Sequence, residues 1–549
     1  MLSAWLLLTA LVHPAHAGVP PDDESAGKRI YREGMLPSGE PLRGTLQNGV
    51  ELSGSAAACA VCHRRSGLGG GEGQNSVRPI AGRLLFAPAL IQSSSDQASP
   101  AQASSARTRP RYTLDALARA LRDGVDPSGR LLDALMPRYR LNDDEVRQLA
   151  AYLQQLAPRQ APGVTGSEIH FATVIAPGVK PTQEKAMLDV LQAFFAAKNG
   201  GTRQEQRRRE IGRNVTGSEQ MYRAYRKWQL HVWRLRGQPE SWPAQLQDYY
   251  REQPVFAVLS GIAAGSWQPV HEFCERNEVP CLFPNIGFPA VAQTGYSSFY
   301  FSRGAVLEAE VLAKHLAGGV VGRDNNIVQV FRDDASGRAP AQALRAALRQ
   351  RGIDTVVDRP LSGSVPVPES FWIRLLDGDR PETLILWLND ADIAKFPLQR
   401  EVPLSLHGLY VSGSLVASPE RLQQVGGWIG RVRCVDQLEQ AGLRTQHMTR
   451  MNTWLRARNV LLADEHIQAN TFFAAGIAGD ALAHMDENFS RDYFIERIEH
   501  MTGQSLFHSV YPRLSLGPGQ RFASKGGYVT GCMLKGGHRA ALQSNWIVP

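Results

Sequence analysis

Cys59, Cys62 and His63 stand in the order Cys-x-x-Cys-His within AACAVCHRRSGLGGGEG, residues 57–73. Two thiols at this spacing can add to the vinyl groups of one haem while the adjacent imidazole reaches the iron from the same side. A redox dithiol or half of a zinc site also uses paired cysteines, but neither gives the histidine a role at that position. The zinc reading further needs a second ligand pair, and Cys274, Cys281, Cys434 and Cys532 contain no second Cys-x-x-Cys. The motif therefore points to one covalent haem c, attached at Cys59 and Cys62, with His63 as an axial ligand to the iron.

Attachment of haem c requires export. MLSAWLLLTALVHPAHAGVP has an apolar run from Ala4 to Val12 followed by Ala15-His16-Ala17, so residues 1–17 read as a signal peptide cleaved before Gly18. No later stretch reaches the ~18 uninterrupted apolar residues of a membrane helix, and no cysteine follows the cleavage site to carry a lipid. A soluble, periplasmic protein is expected. The net charge of +8 is modest for 549 residues, and its basic residues are dispersed among acids. That distribution gives nucleic-acid binding little support, and no nucleic-acid partner is expected. At about 150 residues per domain the chain holds about three globular units.

Elements that would position the motif lie on both sides of it. Upstream, SAGKRIYREG puts Gly27 and Tyr31 on a short helix, the first allowing close approach and the second packing an aromatic ring. Downstream, DALMPRYRLNDDEVRQLAAYLQQL supplies a thioether at Met136, a bend at Pro137 and a helix. Asn142 and Glu145 form its capping-box start, and Val146, Leu149, Ala150, Leu153 and Leu156 share one face. In these features the segment resembles a class I c-type cytochrome. The resemblance implies an all-α domain over 18–160 in which His63 and Met136 are the axial ligands. Met136 follows His63 by 73 residues, and the excess length falls in a disordered Ser/Ala/Gln-rich insert near 91–110. Both axial positions are then filled, so the implied chemistry is one-electron transfer. Arg64, Arg65, Arg78 and Arg83 flank the motif, either to pair with haem propionates or simply as solvated surface.

APRQAPGVTGSE supplies a linker over 161–167, and from 168 to 549 short apolar strands alternate with amphipathic helices, the pattern of a parallel α/β sheet. Strands are expected in WQLHVWRL, PVFAVLSG, VPCLFPN, NIVQVFRDD and TLILWLND, and a long helix in IQANTFFAAGIAGDALAHM. The order of these elements resembles the type I periplasmic binding proteins, the Leu/Ile/Val-binding group of ABC-transporter substrate receptors. It implies two Rossmann-like lobes joined by three crossovers, with a ligand in the cleft. Ligands of such sheets sit at carboxyl ends of strands, which makes Ser260, Gly261, Asn285, Gly287, Asp334, Ser336 and Asn389 the candidate contacts. NIGFP stands where the amino-acid binders of the group carry a hydroxyl residue, so the pattern does not specify an α-amino acid. Trp267, Phe288, Tyr296, Tyr300 and Trp387 lie near these loops, as a pocket lining or as packing between elements.

Cys274 and Cys281, seven residues apart in an exported chain, are expected to form a disulfide. Cys434 and Cys532 remain, and sequence does not decide whether they pair. No catalytic constellation of Ser, Cys, His and Asp can be assembled, so an electron carrier or binding protein is expected rather than an enzyme. Its expected partners are a periplasmic dehydrogenase or oxidase as redox partner, a small-molecule ligand, and, on the rival reading of a solute receptor with a redox-sensing haem domain, a membrane permease.

Overall fold

A computed structural model describes residues 21–72, 75–90, 108–156, 160–211, 226–287, 295–320, 325–363, 365, 367–416, 428, 431–439, 441–485, 488–531 and 544–549. The signal sequence, nearly all of the 91–110 insert, Phe288 and Cys532 lie outside them. The chain divides into two units, residues 1–159 and 160–549, each with its own core.

In the first unit the helices Pro21–Glu33 and Asp143–Gln155 cross at closest approach through Gly27. A β-carbon there would meet the Gln148 carbonyl oxygen at 2.2 Å and Tyr152 Cβ at 2.7 Å. Tyr31 then packs its ring on Tyr152 at 5.4 Å, and its hydroxyl donates to the Arg64 carbonyl at 2.7 Å, which fastens the crossing to the end of the cysteine motif. Asn142 and Glu145 form a complete capping box, and Val146, Leu149, Ala150 and Leu153 are buried on one helix face, as the sequence pattern requires. Gly27→Ala should force the helices apart at a cost of roughly 1–3 kcal/mol, more than the helix propensity of about 1 kcal/mol that alanine returns. Urea unfolding of this unit would then shift to a lower midpoint, and an unchanged midpoint would remove the crossing from its stability.

The expectation of an all-α unit is corrected by short antiparallel strands. Arg43–Thr45 pairs with Glu51–Ser53 and with Arg138–Tyr139, and two smaller ribbons join Gly70–Glu72 to Asn75–Val77 and Ala89–Leu90 to Thr108–Arg109. The first hairpin has a plain local cause. Asn48-Gly49 turns the chain, with Gly49 at φ +87° and the Leu46 N–H bonded to the Val50 carbonyl at 2.9 Å.

The second unit contains two parallel sheets. In the first lobe Glu168–Ile175 is central, flanked by Lys227–Arg234 on one side and by Ala257–Leu259, Cys281–Leu282 and Ser298–Phe299 in succession on the other, all parallel. In the second the order is Val356–Leu361, Ile327–Arg332, Thr383–Trp387, Gly408–Ser412, Val432–Asp436 and Tyr528–Gly531, parallel except for the last. Helices cover both faces, so central strands such as Thr383–Trp387 are buried throughout and read as unbroken apolar runs. The chain passes between lobes three times, near 301–304, 436–439 and 524–527. Helices Ala441–Arg456, Glu465–Ala483 and Arg491–Met501 thus belong to the core of the first lobe. Arg491 pins that return, donating to the carbonyls of Phe256, Asn277 and Val255 and to the Tyr250 hydroxyl at 2.6–3.1 Å.

The segment read as a linker over 161–167 is part of this unit. Ala161 and Val164 are buried in the first-lobe core, and the Ala161 N–H bonds to the Phe489 carbonyl at 3.1 Å. Two apolar residues inside a Pro/Gly-bearing stretch were enough to seat it. Among the described residues no helix is long and apolar enough to cross a membrane.

Candidate functional sites

The Cys-x-x-Cys-His motif forms one helical turn, Ala60–His63, entered through Cys59 and left through Arg64 at φ +63°. Cys59 is buried and Cys62 exposed, both as free thiols. Burial pushes the Cys59 thiol up to about 12, so it stays protonated at neutral pH. His63 is 9 % exposed, and its Nδ1 lies 3.0 Å from the Arg78 carbonyl oxygen. A carbonyl can only accept, so Nδ1 carries the proton and the lone pair is left on Nε2. Desolvation also lowers the pKa of this imidazole, which keeps it in the neutral form a metal ligand needs.

Met136 ends a turn in which its N–H bonds to the Asp133 carbonyl at 3.0 Å. The buried Pro137 follows it, and the Arg138 guanidinium holds its carbonyl. It packs against the apolar cluster that contains Cys59. Val61, Leu131 and Leu135, neighbours in sequence of these residues, are 62 %, 73 % and 59 % exposed. That is apolar surface a planar hydrophobic group would cover. The residues present fit haem c: two thiols on one turn, an imidazole with its tautomer fixed, a thioether on the same core, and uncovered apolar side chains. Among the described residues no group of three or more His, Cys, Asp or Glu side chains is placed to hold a metal ion.

In the second unit a cavity of about 560 Å³ lies between the lobes. Of the residues inferred from strand ends, Asn285 and Gly287 line it. Ser260, at φ +55°, is fully buried behind the wall, its hydroxyl 3.2 Å from Thr471 Oγ1 and 3.0 Å from Asn285 Nδ2. Gly261 takes φ +107° against the Trp267 ring and turns the chain there. Asp334, Ser336 and Asn389 do not reach the cavity. Asp334 caps its helix by accepting from the N–H groups of Ser336 and Gly337, and Asn389 does so from Ala391 and Asp392. The second lobe reaches the cavity through Gly413–Val416 and Asp436–Leu438, the ends of the next two strands. Tyr300 lines it, whereas Trp267 and Trp387 are core side chains.

Several cavity-lining positions escaped the sequence reading: Asp464, His466 and Asn470, all on or before the helix Glu465–Ala483, with Thr471 buried behind them against Ser260 and Asn285. The signal was present, since a helix apolar on every side that still carries Asn470 and Thr471 must satisfy them or use them. Also missed was a polar knot at the hinge. Glu308 is fully buried and accepts from the hydroxyl of Ser412, from the N–H and hydroxyl of Ser414 at 3.0 and 2.6 Å, and from Gln437 Nε2 at 3.2 Å.

The expected Cys274–Cys281 disulfide is not formed. Both are free, fully buried thiols, hydrogen-bonded side by side in an apolar cluster. One sits on the helix Gln268–Arg276 and the other on a strand beneath it, so packing alone brings them together without a crosslink. Cys434 is disulfide-bonded.

Residues 46–157 match the family model Cytochrome c, and this segment is a cytochrome c domain. No curated protein matches the chain. Similar solved structures include a putative branched-chain amino acid ABC transporter from Rhodospirillum rubrum, 16 % identical over 69 % of this chain and 100 % of that one, TM-score 0.48. A branched chain amino acid ABC transporter from Thermus thermophilus with bound valine is 13 % identical over 70 % and 98 %, TM-score 0.48. A fatty acid ABC transporter substrate-binding protein from Thermomonospora curvata is 13 % identical over 72 % and 96 %, TM-score 0.48.

Proposed function

We propose that the protein is a periplasmic electron carrier in which a single haem c, bound through Cys59 and Cys62, is fused to a solute-binding unit. The observation that carries this reading is the His63 ring, whose Nδ1–H is committed to the Arg78 carbonyl so that Nε2 is presented from the same turn as both thiols. The bound haem would supply a reversible one-electron couple. The chain holds the imidazole neutral and oriented and excludes water from it by burial, and with haem bound His63 and the Met136 thioether would be the groups that hold the iron. A thioether ligand would raise the potential of that couple and favour electron transfer over binding of oxygen or peroxide. The redox partner is then a periplasmic dehydrogenase or oxidase that meets the haem edge.

An optical redox titration of the exported protein tests this. Covalent haem with a reduced α-band and an oxidised-state thioether-to-iron band is expected, and absence of covalent haem would sink the reading. Met136→Ala should abolish the thioether band and lower the potential while leaving the haem attached. Retention of the band would assign the sixth ligand to another residue.

A second reading has its own support in the cavity between the lobes: the second unit binds a solute for delivery to a membrane permease, and the haem domain senses redox state. If a bound solute leaves the potential and electron-transfer rate unchanged, the two units act separately and the receptor reading gains over ligand-gated electron transfer.

A further inference from the structure

A side chain outside the cysteine motif ties the segment that carries Met136 to the turn that carries the thiols. Tyr139 is buried, and its hydroxyl donates to the Ala57 carbonyl at 3.1 Å, a contact between residues 82 apart in sequence. Ala57 closes the 3-10 turn Gly54–Ala57, and the last carbonyls of such a turn have no partner within it. Both residues belong to the apolar cluster that includes Cys59 and against which Met136 packs. The phenol therefore supplies the donor that this buried carbonyl needs.

Residues 136–139 are braced as one piece. Arg138 holds the Met136 carbonyl, and the Met136 N–H donates to the Asp133 carbonyl at 3.0 Å. Pro137 and the Tyr139 ring both rest on Gly44, the strand partner of Tyr139. A β-carbon on Gly44 would stand 2.9 Å from the ring and 3.0 Å from the Pro137 Cβ, so the fit depends on its absence. These contacts stiffen the segment, and the Tyr139 hydroxyl sets where it stands: tied at residue 139 to Ala57, two residues before Cys59, it carries Met136 at a fixed separation from the cysteine turn. Withdrawing the thioether from that turn then moves the whole segment and breaks the bond to Ala57.

We propose that Tyr139 is a positioning residue for the second axial ligand: through Ala57 its hydroxyl holds the Met136 thioether in reach of the iron and resists its displacement by a competing ligand. The bond to Ala57 stands while the thioether is in place and is lost when a competitor takes that position, so its net worth is subtracted from the competitor's affinity. This inference rests on the reading of Met136 as the second axial ligand of a haem c.

Titration of the oxidised full-length haem protein with imidazole, followed by loss of the thioether-to-iron band, tests it. Tyr139→Phe keeps the ring on Gly44 and removes the hydroxyl. This variant should retain covalent haem and bind imidazole about 5-fold more tightly than the parent, which corresponds to the ~1 kcal/mol net worth of one buried hydrogen bond. Tyr152→Phe is the comparison, because it removes from the same core a hydroxyl that accepts from Arg32 Nε at 2.8 Å and leaves the bond to Ala57 in place. Its imidazole affinity should stay within about 2-fold of the parent's. Unchanged affinity in Tyr139→Phe, even beside a lower melting temperature, would make Tyr139 a stability residue and overturn the assignment. An equal gain in Tyr152→Phe would overturn it too, since any loosening of the core would then suffice. Both of those failures leave the electron carrier standing, because the parent still shows covalent haem and the thioether band. A parent with haem but no such band would overturn the Met136 ligation and this inference with it, and a parent without covalent haem would overturn the electron-carrier reading as well.

Discussion

A chain carrying Cys59→Ala and Cys62→Ala together is expected to contain no covalent haem: no haem absorbance should migrate with the denatured chain, whereas the parent retains it fully. The reasoning is stoichiometric, because the thioether bonds form only at these sulfurs, and no other Cys-x-x-Cys-His occurs in the sequence. The first unit should also lose stability, since Val61, Leu131 and Leu135 would keep their exposed apolar surface. The second unit has a core of its own, so its unfolding transition should persist. Covalent haem in the double variant would place the attachment elsewhere and dismantle the assignment of His63 with it. Loss of both transitions would show instead that the units do not fold separately.

Glu308 should make stability depend on pH in the direction opposite to most carboxylates. Burial raises its pKa from 4.5 to about 7, against the pull of the donors from Ser412, Ser414 and Gln437, and the charge of Asp436 adds to the rise. Between those values the folded chain keeps a proton that the unfolded chain releases. The contribution is therefore fully present below pH 4.5 and is lost as pH rises through about 7. Its size is roughly 3 kcal/mol. Denaturant unfolding at pH 5 and pH 8 should show the parent losing about that much more than Glu308→Gln, which cannot titrate. Using the difference between the two chains cancels other groups that titrate in the same interval. Equal losses would show that Glu308 ionises in the folded chain as it does in the unfolded one. Because Ser414 and Gln437 also line the cavity, cleft affinity should follow the same titration.

The contrast between these two sites shows what local sequence can carry. Cys59, Cys62 and His63 stand out in the sequence because the chemistry expected of them depends on spacing along one turn, and Asn142 with Glu145 was legible because a helix cap is equally local. Gly27 could be paired with the distant helix only through its small size and its place four residues before Tyr31. The cavity wall was legible only in part. Asn285 and Gly287 follow a strand and could be reached by the strand-end rule, but Asp464, His466 and Asn470 come from a helix that rejoins the first lobe some 160 residues after that lobe's last strand. The same rule misplaced Asp334, Ser336 and Asn389, which spend their polar atoms on their own helix starts. Glu308 sits in a helical pattern that reads as an exposed charge every few residues, and only the three passes between lobes enclose it. Cys274 and Cys281 were correctly drawn together, but proximity in a packed core does not itself oxidise two thiols.

The late return of the chain to the first lobe also orders its assembly in time. Phe256, Phe283, Phe299 and Phe301 share one cluster with Phe472, Phe473 and Phe494. As the chain emerges from its N-terminal end, the second lobe's strands through Asp436 are complete before those last three aromatics exist. The first lobe is thus the half that must wait, its sheet held open with aromatic surface uncovered until the helix Glu465–Ala483 arrives. Contacts of such long sequence separation are slow to form. That interval, rather than any weakness of the finished cleft, is when this protein is most exposed to aggregation and most in need of a chaperone.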